Sequence, residues 1–149
     1  MIEISRAGVK DHGMVTALLL QYAEEQGLRQ GLDRDRWEGV LAGLLDSDAW
    51  LFLLAADGDG EPVGIAVVNW SLTLFGSSVD GRIVALMVDR SRRGEGVGGM
   101  LMEELLAASR RRGCREVEVA VNAGDDVEAF YRKFLPDDCR TMLGWYCSD

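Results

Sequence analysis

The chain has 149 residues, of which 48% are apolar and 28% charged, a balance expected of a soluble globular protein of one domain. Its net charge of −9 argues against nucleic acid, whose phosphates need a basic footprint, and leaves room for a cationic partner. No apolar run approaches the ~20 residues of a membrane helix, and Ile2-Glu3-Ile4-Ser5-Arg6 is no signal peptide, so no membrane association and a cytoplasmic location are expected.

Residues 2–6 alternate and predict a first or edge strand. Residues 10–27 predict a helix with Val15, Leu18, Leu19 and Tyr22 on one face, stopped by Gly27. A second helix is expected over 33–46, with Asp33 as N-cap and Trp37, Val40, Leu41, Leu44 and Leu45 turned inward. Residues 50–56 and 63–72 predict two strands joined by the turn Asp57-Gly58-Asp59-Gly60-Glu61-Pro62. A Gly- and Ser-rich loop is expected over 75–81. The apolar run 82–89 follows, as in a strand covered on both faces.

Residues 97–112 predict an amphipathic helix with Val97, Leu101, Leu105 and Ala108 inward. Arg110, Arg111 and Arg112 suit the negative end of its dipole, and Gly113 ends it. A strand over 114–122, a short helix over 126–134 and a final strand over 141–147 complete the order. The fold class is α/β (α+β): a single domain, 1–149, with a central mixed, mostly antiparallel sheet flanked by helices. Cys114, Cys139 and Cys147 lack the close pairing of a zinc site or redox motif and are expected as free, mostly buried thiols. His12 has no second His or nearby Cys, so no metal is expected there, only a surface or capping role.

The most informative segment is Val88-Asp89-Arg90-Ser91-Arg92-Arg93-Gly94-Glu95-Gly96-Val97-Gly98-Gly99. A strand ends, a glycine-rich turn follows and a helix opens. Such a turn aims several backbone N–H groups at one spot, where the helix N-terminus adds partial positive charge. Glycines allow a pyrophosphate close to the backbone, and Arg90, Arg92 and Arg93 can add charge-assisted hydrogen bonds. No Lys-Ser/Thr follows the glycines, which excludes a Walker A loop, and the spacing is a poor dinucleotide-binding fingerprint.

From Trp50 onward, and most sharply over 83–134, the sequence resembles the GNAT superfamily of acetyl-CoA-dependent N-acetyltransferases. Arg93-Gly94-Glu95-Gly96-Val97-Gly98 resembles that family's Arg/Gln-x-x-Gly-x-Gly/Ala loop, which cradles the CoA pyrophosphate, with Gly99 adjoining. The preceding strand resembles the one whose backbone pairs with pantetheine and polarises the thioester carbonyl, at Leu86, Met87 and Val88. Ala129-Phe130-Tyr131-Arg132-Lys133-Phe134 resembles the helix that carries a Tyr near the CoA sulfur, which makes Tyr131 the implied acid for the departing thiolate.

The chain departs from the family pattern in places. Val84 and Ala85 stand where related members often have acidic residues. Lys133-Phe134-Leu135-Pro136 replaces a Gly-Phe pair, and Gly124 stands where an Asn often precedes the Tyr.

The resemblance implies acetyl-CoA as cosubstrate, no metal, and direct attack by a primary amine in a ternary complex, since no Cys-His pair is evident. Glu118 resembles the glutamate that ribosomal-protein N-terminal acetyltransferases carry on this strand and is the candidate general base, with Glu116 as rival and a plain surface charge as the other reading. The acceptor, a small amine, an aminoglycoside-like amine or a peptide amine, stays open. Asp57, Asp59, Glu61, Asp125, Asp126 and Glu128 are candidates to surround it. A homodimer is also left open. Two other readings stand: a non-catalytic CoA-binding sensor on the same fold, and a protein-interaction module with an acidic surface.

Overall fold

The computed structural model describes residues 1–74 and 78–147. The chain forms two compact units, Met1–Glu118 and the residues from Val119 on. The first unit holds β1 (Glu3–Arg6), α1 (His12–Glu25), α2 (Arg34–Leu45), β2 (Trp50–Ala56), β3 (Pro62–Leu72), β4 (Val79–Val88), α3 (Val97–Arg112) and most of β5 (Cys114–Val119). The second holds α4 (Asp126–Arg132). The expected loop over 75–81 falls partly outside the described residues, and its last three positions belong to β4.

The strands form one sheet in the order β1-β2-β3-β4-β5. The first four pair antiparallel. β5 is reached through α3. Its Arg115 meets Asp80 and its Glu118 meets Arg82, so it runs parallel to β4 and the sheet is mixed. On one face, Val15 and Leu18 of α1 and Leu41 and Leu45 of α2 pack with Phe52, Leu54, Ile65, Val67, Ala85 and Met87. On the other, α3 buries Val97, Leu101 and Leu105 to 1% exposure or less.

Several expectations are corrected. Val40 is 52% exposed and does not join the α2 face, because Leu41 and Leu45 already fill the contact with the sheet. The apolar run of β4 is not covered on both faces along its length. A bulge at Val84, where Val67 pairs with Ala85 and Val68 with Ile83, flips the side-chain alternation. Ile83 therefore faces the α3 side with Val68, and Ala85 and Met87 face the α1 side with Val67 and Ile65.

Residues 141–147 form no strand. Met142, Leu143, Gly144, Trp145 and Tyr146 lack polar–apolar alternation, and a strand without a ladder partner has nothing to hold it. Cys147 lies in this irregular stretch and Cys139 just before it, and both are exposed rather than buried, while Cys114 is half-buried. His12 does not cap its helix. Its Nε2 lies 3.1 Å from the Glu38 carbonyl oxygen, which ties α1 to α2.

Candidate active site

The glycine turn is built from the end of β4. Val88 pairs with Gly64, and the Asp89 N–H donates to the Val63 carbonyl at 2.8 Å, which fixes where the strand stops. The Asp89 carboxylate then accepts from the N–H and hydroxyl of Ser91, closing a single 3-10 turn at Arg90–Arg92. Those two bonds hold the Asp89 carboxyl below its usual range. Gly94 and Gly96 follow with φ of 83° and 84°, a left-handed backbone that side chains with a Cβ resist. A Cβ built at Gly94, Gly96 or Gly99 would meet nothing within 4 Å, so the turn presents an open surface.

α3 starts on this surface. Its N-cap is Gly96, which has no side chain to cap it, and its first turn holds no acidic residue. The first N–H groups of a helix have no intrahelical acceptor and carry the positive end of the dipole. Val97, Gly98 and Gly99 supply those groups here. The packing beneath them is close. A Cβ at Gly64 would sit 3.1 Å from Leu101 Cδ1, 3.1 Å from the Met87 oxygen and 3.3 Å from Val97 Cγ1. Gly64 thus seats the start of α3 against the end of β4, a role with no sequence signal of its own.

The three arginines of the turn are held by carboxylates from elsewhere in the chain. Arg93 Nε donates to the Val88 carbonyl at 3.0 Å, and its Nη2 reaches both Glu25 oxygens at 2.8 and 2.7 Å. Arg90 Nε donates to Glu25 Oε1 at 2.8 Å. Arg92 bridges Glu95 at 2.7 Å and Asp57 at 3.0 Å. The Arg90 hydrogen bond, with Arg93 adding to it, holds the Glu25 carboxyl below its usual range. Asp57 is lowered by the N–H groups of Glu61 and Asp59 and by Arg92. Sequence reasoning misses Glu25 at this site. Its only signal is that a helix ending in Glu-Glu comes to rest beside the turn, which is a matter of tertiary packing.

Of the residues expected to meet pantetheine, Met87 is buried at 4% exposure, and Leu86 and Val88 are half-buried. Glu118 is exposed on β5, where its Oε1 accepts from Arg82 Nε at 3.1 Å and Nη2 at 2.9 Å. Glu116 lies 3.7 Å from Arg115. Tyr131 stands on α4 in the second unit, half-buried, with its ring edge-on to Phe130 at 5.1 Å.

The acidic residues considered for the amine acceptor are in part engaged locally. Asp57 closes its turn and holds Arg92, Asp125 caps α4 through the Glu128 N–H, and Glu128 accepts from the Gly124 N–H and from Arg132. Burial raises the Cys114 thiol, which makes it a poor nucleophile at neutral pH. Among the described residues no group of three or more His, Cys, Asp or Glu could hold a metal ion, and no helix is long and apolar enough to cross a membrane. A shallow groove of about 320 Å³ between β1, β2 and α3 is lined by Arg6, Leu53, Trp70 and Arg112, and by none of the turn's residues.

The fourth strand of a mixed sheet thus leads through a glycine turn into a helix start without a side-chain cap, the geometry in which helix N-termini accept anions. Residues 14–135 match the model of the acetyltransferase (GNAT) family, and the chain belongs to that family of acetyl-transferring enzymes. Solved structures agree on the fold. An aminoglycoside acetyltransferase from an uncultured soil metagenomic sample, in complex with sisomicin, has a TM-score of 0.85 at 19% identity, covering 99% of this chain and 95% of that one. A ribosomal-protein-alanine N-acetyltransferase from Brucella melitensis biovar Abortus gives 0.74 at 18% identity, covering 98% and 100%. An acetyltransferase from Trypanosoma brucei gives 0.77 at 20%, covering 98% and 99%. No curated protein sequence matches the chain.

Proposed function

We propose that the protein is an acetyl-CoA-dependent N-acetyltransferase that binds the CoA pyrophosphate at residues 93–99 and passes the acetyl group directly to a primary amine. The observation that carries this reading is the start of α3, where uncapped N–H groups and two left-handed glycines leave an open, anion-seeking surface at the end of β4. Acetyl-CoA, when bound, supplies the activated acetyl group. The chain supplies the rest. Gly94, Gly96, Gly98 and Gly99 admit the phosphates, and the backbone of Leu86, Met87 and Val88 holds the pantetheine arm. An N–H of that strand stabilises the carbonyl oxygen as it gains charge. Tyr131 donates a proton to the leaving thiolate, and Glu118, with Glu116 as rival, takes one from the amine.

One observation favours a second reading, a CoA-binding sensor without catalysis. Arg82 occupies one oxygen of Glu118, and Val84 and Ala85 supply no carboxylate in its place. A thiol-release assay separates the two. Neighbours in fold act on an aminoglycoside and on a ribosomal-protein alanine, so the panel should hold aminoglycosides, alanine-terminated peptides and small polyamines. Acceptor-dependent release of CoA thiol is expected with one of these classes. Saturable CoA binding with no acceptor above the hydrolysis background would overturn the enzyme reading and leave the sensor.

A further inference from the structure

The turn that should attract a polyanion is not positively charged. Its three arginines, Arg90, Arg92 and Arg93, stand among four carboxylates: Glu25, Asp57, Asp89 and Glu95. Raw charge does not draw a pyrophosphate to such a place, in a chain whose net charge is −9. Direction can. A guanidinium has five N–H donors in a rigid fork. The Glu25 and Val88 bonds engage only Nε and Nη2 of Arg93, and the Glu25 bond engages only Nε of Arg90. Arg90 is thus pinned through Nε and Arg93 through Nε and Nη2, and these bonds do not use their Nη1 donors.

We propose that Glu25, at the end of α1, is a positioning residue for this turn, fixing Arg90 and Arg93 so that a pyrophosphate is recognised by aimed donors instead of by net charge. The proposal rests on the reading of 93–99 as a CoA loop. Its physical basis is pre-organisation. A free arginine side chain gives up rotamer entropy when it is ordered, and Glu25 orders two of them before a ligand does. The Glu25 side chain is 20% exposed while Arg90 and Arg93 are 62% and 48% exposed, so the clamp faces solvent and added salt weakens it. The opposite role, a competitor that blocks the arginines, would engage their Nη1 donors as well, and the Glu25 bonds do not.

The test compares CoA with inorganic tripolyphosphate, by calorimetry at fixed salt, on wild type, Glu25→Ala and Glu25→Gln. For Glu25→Ala, CoA affinity is expected to fall about tenfold, or 1.4 kcal/mol, and tripolyphosphate, which meets the same aimed donors, should weaken with it although a negative charge is gone. Glu25→Gln keeps an acceptor of the same shape and should fall between. In wild type, the Nε–H resonances of Arg90 and Arg93 should be sharp and dispersed, and in Glu25→Ala they should collapse to the free-arginine position.

Control by net charge would leave both ligands bound equally or more tightly in Glu25→Ala, and a merely structural role would weaken them with the Arg90 and Arg93 resonances unmoved; either result would overturn the proposal. Should the alanine variant fail to fold, the isosteric glutamine variant carries the same comparison. If wild type binds CoA and both variants bind it as well or better, Glu25 does not position the turn, while the CoA-loop reading stands. If wild type does not bind CoA at all, that reading falls and takes this one with it.

Discussion

The starts of α2 and α3 face the same physical problem and answer it differently. Each leaves N–H groups without an intrahelical acceptor. At α2 the chain supplies its own: the Asp33 carboxylate accepts from the Arg36 N–H at 3.2 Å, and Asp35 adds negative charge to the first turn. At α3 no side chain among the described residues caps the start. Gly96 stands at the N-cap, the first turn has no acidic residue, and the carboxylates nearby are engaged by arginines. Capping is easy to evolve, since a Ser or Asp is enough. The start of α3, flanked by two left-handed glycines, has no such side chain. The α2 start is closed by its own chain, and the α3 start is the one proposed to bind.

Four changes sharpen or break that contrast. The largest effect belongs to neither helix start. Tyr131→Phe keeps the ring and most of the packing. If the hydroxyl protonates the thiolate, kcat should fall about 100-fold, the low end for a general acid, with CoA affinity unchanged. Turnover at the wild-type rate would make Tyr131 a packing residue. Next, Gly96→Asp gives α3 the kind of cap that α2 has, and it places a negative charge where the pyrophosphate should sit. Calorimetry should show CoA affinity at least tenfold lower, about 1.4 kcal/mol or more. Unchanged affinity in the folded variant would remove the contrast altogether.

Asp33→Ala is the reciprocal change. Loss of the cap should cost about 1 kcal/mol, read as a fall of roughly 3 °C in Tm, with CoA binding untouched. Weaker CoA binding would mean the two starts are coupled. The smallest effect is in pH dependence. Glu25, Asp57 and Asp89 all have carboxyls lowered in the folded state. Their contribution is complete above the unfolded carboxylate range, about 3.9 to 4.3, and is lost as pH falls through the depressed folded values. Melts between pH 6 and about 3 should show stability falling with acid. Glu25→Gln should flatten the Glu25 part of that slope, and an unaltered slope would show that the ion pairs seen at Glu25 do not hold in solution.

The parts of the fold that are legible in the sequence are those whose causes are local. Val97–Arg112 is readable to the residue because glycines bracket it, and Gly96 and Gly113 both take positive φ. Asp33 is readable as a cap for the same reason. The bulge at Val84 is not, because it is set by the register against Val67 and Val68 across the sheet. Ser109 looks like a surface residue of the α3 pattern, yet it is fully buried because Trp70 on β3 donates its indole N–H to it at 3.2 Å.

The site divides in the same way. The strand, glycine turn and helix at 88–99 announce themselves in sequence order. The partners of its arginines do not, since Glu25 lies more than 60 residues from Arg90 and Arg93 along the chain, and Asp57 lies 35 from Arg92. Asp57 is a poor candidate to meet an amine for this reason. Its neighbours in space, Arg92 and the N–H groups of its own turn, already use its oxygens.

The claim that the open start of α3 is a CoA site is tested most directly by following backbone amide resonances of the labelled protein while CoA is added. Saturable shifts centred on Val97, Gly98 and Gly99, extending to Gly94 and Gly96, are predicted, with the Arg36 amide under the Asp33 cap unmoved. Shifts that gather instead around Trp70 and Arg112 in the groove beside α3, or no saturable shift at all, would contradict it.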